Sequence, residues 1–328
     1  MLTKLKPTLL LAREEIMARI EAYRSPPAKE LPYQLGLRPD CSVPQSGIAI
    51  VAIIKDEAPY LAEWLEFHLM LGVRHAYLYD NGGTDDTARV IAPYMEAGLV
   101  TLMPWHNFSR MLNPQRLAYA HAMTNFCWNY RWVAPIDVDE FLFPVEGDSL
   151  EQTLIEFADL PILNLPWLNF GPSGHQKKPN GLVIENYTER AVFPPPPEQY
   201  SLLRYKSIVN PREIDFVGSH YFFLLGRGEI LINDRRVEFP THRKRNAKYA
   251  TADRLRLHHY FTRSHEEIQR KLSKGRVSKA GRINETALDR RLRQYSLATE
   301  QDETILRFVS ETKNRLQTRY AKAPQAAE

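Results

Sequence analysis

The sequence predicts an α/β protein of three layers, with helices on both faces of a mostly parallel central sheet. Residues 47–54 form a near-continuous β-branched run, which suits a strand buried on both faces. Helical patterns alternate with such runs as far as residue 144, as a sheet covered on both sides requires. The polar clusters Lys55-Asp56-Glu57, Asp80-Asn81 and Asp137-Val138-Asp139 all follow strands, and sheets of this kind bind ligands at their carboxyl ends.

In chain order, residues 8–23 read as a helix and the Pro-rich residues 25–44 as an extended linker. After the strand at 47–54, Pro59 opens a helix with Leu61, Trp64, Leu65 and His68 on one stripe, and Gly72 closes it. His68 belongs to that packed stripe. A strand at 75–79 leads through Asp80-Asn81-Gly82-Gly83 to a helix with Thr84 as N-cap and Asp85 and Asp86 in its first turn. A strand at 99–103 and a helix at 114–129 follow, then the acidic stretch. Further on, Pro194–Pro197 marks a stiff excursion, and 299–320 reads as a helix with Ile305, Leu306, Val309 and Leu316 on one side. The division expected is an N-terminal helix and linker (1–46), an α/β domain (47–240) and a basic, mostly helical C-terminal part that completes the site (241–328).

With 328 residues, 44% hydrophobic and 11% aromatic, the chain can bury a large core and reads as globular. Cys41 and Cys127 cannot make a disulfide framework and lack metal-site spacing, so a reducing cytoplasm is expected. No apolar run approaches a membrane span, and the N-terminus lacks a small-residue cleavage site. Thr8-Leu9-Leu10-Leu11-Ala12 soon meets Arg13, Glu14 and Glu15 and reads as amphipathic, with peripheral contact at the inner membrane face as the alternative. The formal charge of +4 is unevenly spread: Lys244, Arg245, Lys248, Arg254, Arg256, Arg263, Arg270, Lys271, Lys274, Arg276 and Lys279 oppose only Asp253, Glu266 and Glu267. That segment suits an anionic partner, and charge alone does not choose among nucleic acid, an acidic membrane and a nucleoside diphosphate.

If 132–138 is one strand, the period of two puts Asp137 and Asp139 on the same face, repelling each other. A hard divalent cation, Mg²⁺ or Mn²⁺, between them relieves that repulsion and binds phosphates as well.

Ile53-Ile54-Lys55-Asp56-Glu57, Leu78-Tyr79-Asp80-Asn81 with Thr84-Asp85-Asp86-Thr87, and Ile136-Asp137-Val138-Asp139-Glu140-Phe141 resemble the nucleotide-sugar glycosyltransferases of the GT-A fold, family 92 and its family-2-like relatives above all. The resemblance continues through Trp167-Leu168-Asn169-Phe170-Gly171-Pro172-Ser173-Gly174-His175, Lys206-Ser207-Ile208-Val209, Val217-Gly218-Ser219-His220 and His258-His259-Tyr260-Phe261-Thr262-Arg263-Ser264, in order, over about 48–276.

That resemblance implies roles. Glu57 and Asp80, with Lys55 and Asn81 beside them, would hold the donor's base and ribose. Asp139 would be the metal carboxylate, with Asp137 near ribose and metal. A histidine would complete the shell, His220 first and His259 second. Lys206, Arg263 and Lys271 would line the diphosphate, with Glu140-Phe141 shaping the turn behind the carboxylates. Trp167, Phe170, Gly171 and His175 would meet the acceptor, because aromatic faces stack on sugar rings and glycine permits close approach. The base of an inverting transfer is open among Asp215, Glu213, Glu185 and His175, since Gly174-His175-Gln176-Lys177-Lys178 lacks the acid that often follows this loop. The activity implied is metal-dependent transfer of a hexose, galactose as the family suggests, from a UDP-sugar to a hydroxyl of a glycan, glycolipid or related acceptor, with inversion. A non-catalytic nucleotide-sugar or glycan-binding module on the same fold is the alternative. A nucleic-acid-binding protein would leave the acidic strand ends unexplained.

Overall fold

The computed structural model describes residues 33–35, 42–107, 112–273 and 299–321. Its centre is an eight-stranded sheet of β1 (Ile48–Ile54), β2 (Val73–Asp80), β3 (Val100–Pro104), β4 (Trp132–Pro135), β5 (Glu140–Pro144), β6 (Ile162–Asn169), β7 (Tyr205–Val209) and β8 (Leu255–His259). The spatial order is β3-β2-β1-β4-β7-β6-β8-β5. Neighbours pair in parallel from β3 to β4 and between β6 and β8, whereas β7 is antiparallel to β4 and β6, and β5 to β8. The helices used below are α1 (Ala58–Met70), α2 (Thr87–Glu96), α3 (Pro114–Asn125), α4 (His265–Ser273) and α5 (Val309–Ala321).

The three layers follow from β1. Its Ile50, Ala52 and Ile54 share a core with Leu61, Trp64 and Leu65 of α1. Its Ala49, Val51 and Ile53 share another with Ala118, Tyr119, Ala122 and Met123 of α3. Both faces are covered, so every residue of the strand is buried.

Several elements differ from the sequence expectation. The acidic stretch is not a continuation of β4: the strand stops at Pro135, and residues 136–139 form a turn into β5. Asp137 and Asp139 therefore do not share a strand face. Helix α2 begins at Thr87 and not after Thr84, because Asp85 spends its carboxylate on the Thr87 N–H (3.2 Å) and hydroxyl (2.6 Å) and on the Ala58 N–H (2.8 Å). Helix α3 ends at Asn125, four residues early, and Cys127–Tyr130 closes a turn.

The C-terminal part is woven into the sheet. β8 lies between β6 and β5. Thr299–Gln301, expected as helix, is a strand antiparallel to Glu189–Ala191. Buried Asp302 beyond it accepts from Arg190 (2.6 Å) and Arg256 (2.8 Å). α5 is fastened to α1 by Glu66, 1% exposed, which accepts from Arg315 (3.0 Å) and Arg319 (2.8 Å). In the Pro-rich linker, Tyr33–Gln34 pairs with Phe216 and Val217. The expected helix at 8–23 and the basic residues Lys274, Arg276 and Lys279 lie outside the described residues. Among the described residues, no helix is long and apolar enough to cross a membrane.

His68 joins α1 to β5. Nδ1–H donates to the Trp64 carbonyl (2.8 Å), and Nε2 accepts the Leu142 N–H (3.1 Å). Burial lowers its pKa from 6.5 to about 3, outweighing the carbonyl's opposing effect. His68→Leu orphans the Leu142 N–H and should cost about 1–3 kcal/mol at neutral pH in urea denaturation. Below pH 6.5 the unfolded wild type takes up a proton that its folded form refuses, so wild-type stability falls. The gap to the variant should close by about 1.4 kcal/mol per pH unit. A gap independent of pH would contradict the buried neutral imidazole.

Candidate functional site

The topology sends the carboxyl ends of β1, β2, β4, β6 and β8, and the starts of the reversed strands β5 and β7, to one edge of the sheet. After β1, Asp56 adopts φ 53° and its Oδ1 accepts the Thr84 N–H (2.7 Å). Asp80 accepts the Gly83 N–H (2.9 Å), and a Cβ on Gly83 would stand 3.0 Å from the Asp56 nitrogen, so glycine lets the two loops close on each other. Buried Asn81 donates to the Trp105 carbonyl (2.7 Å) and to Asn107 (3.1 Å), a structural task. Lys55 is half-buried at the end of β1. Glu57 precedes α1, with Oε2 3.8 Å from Arg263 Nη1.

The turn from β4 to β5 is closed reciprocally: the Glu140 N–H donates to the Asp137 carbonyl and the Asp137 N–H to the Glu140 carboxylate, both at 2.9 Å. Lys206, 2% exposed at the start of β7, stands 3.0 Å from Asp137 and 3.5 Å from Glu140. Burial alone would lower its pKa, but the carboxylates of Asp137 and Glu140 outweigh this and raise it. Glu140 is fully buried; desolvation, aided by Asp137 and Asp139, pushes its carboxyl well above the usual range against the pull of Lys206. Asp137 also accepts from Gln115 Nε2 (3.2 Å) on α3.

Asp139 faces a different cation. Lys271 of α4 donates to its Oδ2, and His259 Nε2 lies 3.8 Å away. Burial raises the Asp139 pKa, yet Lys271, His259 and Arg263 together bring it below the ordinary value. His259 stands opposite Glu140 on β5 and Asn169 on β6. Its Nδ1 bonds Asn169 Oδ1 (2.9 Å), so the proton belongs on Nδ1 and the Nε2 lone pair points to Asp139. Burial lowers its pKa to about 4, which keeps that lone pair available at neutral pH.

Asp139, Glu140 and His259 each offer a ligand atom, all within 4.8 Å of one another. Glu140 Oε1 is buried without a hydrogen-bond partner. Two carboxylates and an imidazole suit Mn²⁺ or Mg²⁺, and the unpartnered oxygen is the acceptor such an ion would satisfy. Arg263 is the mirror case. It adopts φ 48°, its guanidinium sits 3.3 Å from the Tyr60 ring centroid, and its Nε and Nη2 are buried without partners. Unpaired buried donors suit an anion.

The other sequence candidates are placed as follows. His220, the first choice as third ligand, is exposed and meets the Trp167 ring edge-on at 5.6 Å; the second choice, His259, is the histidine grouped with Asp139. Trp167 stacks on His259 at 4.2 Å. Phe170 corrects its acceptor assignment: it is 1% exposed, packed on His258 (4.3 Å) and Tyr260 (4.7 Å), and its apolar ring serves the core. Gly171 donates to the Glu189 carbonyl (2.8 Å), and His175 Nε2 lies 3.1 Å from the Asn186 carbonyl. Among the base candidates, Glu185 accepts the Leu182 N–H (2.7 Å) and pairs with Lys313. Glu213 acts on Arg131, at the opposite edge of the sheet where β4 begins. Asp215 lies on the strand Ile214–Val217, whose backbone carbonyl there accepts the Leu35 N–H (2.9 Å). Sequence reasoning missed Glu140 as a member of the group that could hold a metal ion and Asn169 as the partner of His259 Nδ1; the acid directly after Asp139 was the available signal for the first.

The sequence profile of glycosyltransferase family 92 matches residues 50–292. The chain belongs to glycosyltransferase family 92. A family 92 protein of Oryza sativa subsp. japonica is 28% identical over 201 residues, 57% of this chain and 32% of that protein. One of Ricinus communis is 28% identical over 176 residues, covering 51% and 29%. The chain thus spans about a third of the length of these curated relatives. Among solved structures, the mannosyltransferase PcManGT of Pyrobaculum calidifontis, in complex with GDP-Man and Mn²⁺, is similar with TM-score 0.30 and 18% identity, over 51% of this chain and 46% of that one. The architecture of this family 92 chain is a large mixed sheet between helices.

Lys206 is the buried cation held between the two carboxylates of this turn. Lys206→Met leaves Asp137 and Glu140 crowded without a countercharge and should destabilise the protein by about 3–5 kcal/mol in urea denaturation. A loss under about 1 kcal/mol would show that the turn neutralises itself by other means.

Proposed function

We propose that the protein transfers a hexose, with galactose the first to test, from a UDP-sugar to a hydroxyl of a glycan or glycolipid, using Mn²⁺ or Mg²⁺. The observation that carries this reading is a pair of opposite deficits at one sheet edge. Glu140 Oε1 is a buried oxygen without a hydrogen-bond partner, and Arg263 Nε and Nη2 are buried donors without an acceptor. A cation bound to a diphosphate satisfies both. Family membership supports the same chemistry.

In this reading Asp139, Glu140 and His259 hold the ion, and Asn169 fixes the tautomer of His259. The ion supplies charge neutralisation of the departing nucleoside diphosphate. Arg263 adds a fixed charge that needs no reorganisation as the leaving group develops. Glu57 and Asp80 accept hydrogen bonds from the ribose hydroxyls or the uracil N–H. Trp167, stacked on His259, is the aromatic ring that would meet a sugar. Inversion, the expected course, is read from the anomeric configuration of the product.

Calorimetry with UDP and Mn²⁺ tests the site. Asp139→Asn and His259→Ala should each abolish Mn²⁺-dependent UDP binding in a folded protein, and Asn169→Ala should weaken metal affinity about 10–100-fold. His220→Ala should leave it unchanged. If His220→Ala abolishes metal-dependent binding and His259→Ala does not, the ligand set is wrong. If Asp139→Asn binds UDP and Mn²⁺ like the wild type, the metal-dependent reading fails.

A further inference from the structure

The site already contains a cation at the carboxylate where the metal is proposed. Lys271 donates directly to Asp139 Oδ2, the oxygen nearest His259 Nε2. A divalent ion bound there at about 2 Å would stand within a few ångströms of the ammonium, and the two cations would repel. They compete for the same carboxylate.

The three basic side chains around the turn differ in their freedom. Lys206 is 2% exposed and held between Asp137 and Glu140. Arg263 is 6% exposed and pressed on the Tyr60 ring. Lys271 is 35% exposed in its side chain, and its ammonium lies 4.5 Å from the Phe261 ring centroid, a contact that a flexible four-carbon stem can exchange. The start of α4 is anchored: Glu267 accepts from the hydroxyls of Tyr187 (2.6 Å), Tyr60 (2.5 Å) and Ser264 (2.6 Å). Lys271 lies one turn beyond that anchor, on the same face. Its stem can swing while the helix stays.

We propose that Lys271 is an internal stand-in cation: it holds Asp139 while the donor is absent, yields that carboxylate to the divalent ion, and carries its charge over to the donor diphosphate. The proposal rests on the metal-dependent reading above. It makes metal and nucleotide binding mutually dependent, because the ion alone must displace Lys271 into water, whereas ion and diphosphate together give the ammonium a new partner.

Mn²⁺ affinity is measured by calorimetry and electron paramagnetic resonance, with and without UDP, on the wild type, Lys271→Met, Lys271→Arg and Asp139→Asn. Lys271→Met should bind Mn²⁺ alone about 10–100-fold more tightly than the wild type, the range expected for removing a charge-assisted hydrogen bond. Its UDP affinity at saturating Mn²⁺ should fall. Lys271→Arg keeps a cation at the position and should retain weak binding of Mn²⁺ alone, which separates lost charge from altered folding. If Asp139→Asn abolishes Mn²⁺ binding while Lys271→Met binds Mn²⁺ alone no better than the wild type, the stand-in role is overturned and the metal site survives. If Asp139→Asn has no effect on Mn²⁺, the metal reading falls and takes this proposal with it.

Discussion

Crowded negative charge in the turn from β4 to β5 is the constraint on which the rest of the site depends. Asp137, Asp139 and Glu140 are nearly consecutive, and two of the three are buried. Carboxylates in such a place repel one another and lose hydration, so the turn forms only where positive charge reaches it. The chain supplies that charge from two distant points, Lys206 on β7 and Lys271 on α4. These contacts tie the carboxylates to the antiparallel strand and to the helix after β8. The mixed topology thus does electrostatic work: reversing β7 puts its first residues, and so Lys206, at the edge where the parallel strands end.

A second buried network braces this arrangement. Glu267 gathers the hydroxyls of Tyr60, Tyr187 and Ser264, which joins α1 to α4. Arg263 lies between them in a left-handed conformation that a non-glycine residue adopts at a cost. Its neighbours hold it there: Tyr60 beneath the guanidinium, and Glu57 and Asp139 as nearby charges. Strain of this kind persists where the surroundings over-determine a residue, and here it places donors beside the acidic edge.

Local signals made much of the fold legible. The run at 48–54 was recognisable as a doubly buried strand because every residue in it is apolar, and α1 because Leu61, Trp64 and Leu65 repeat at helical spacing. The acidic strand ends were expected at one edge, and they lie there, since parallel strands separated by helices must end together. What sequence could not give was non-local. That β8 would lie between β6 and β5, setting His259 opposite Glu140, depends on pairing between segments far apart in sequence. Hence His259 ranked behind His220, and Glu140 read only as a turn residue. Phe170 misled because an aromatic after a strand looks the same whether it faces solvent or core. Residues 299–301 misled because a three-residue strand is too short to show a period.

The placement of β8 also sets an order of assembly. β5 carries buried Glu140, and β6 carries Asn169, more than eighty residues before Leu255 is synthesised. Until then these strands lack the neighbour that separates them, and both expose open edges. Contacts so far apart in sequence form late, because the chain between them must first be ordered. A nascent chain can therefore complete the half built on β1, β2 and β3 early, with its loops at Asp56 and Asp80 already closed on each other. The half with Asp139, Glu140 and His259 waits for β8, so a protein stalled or cut before it would keep the first half of the site and lack the second.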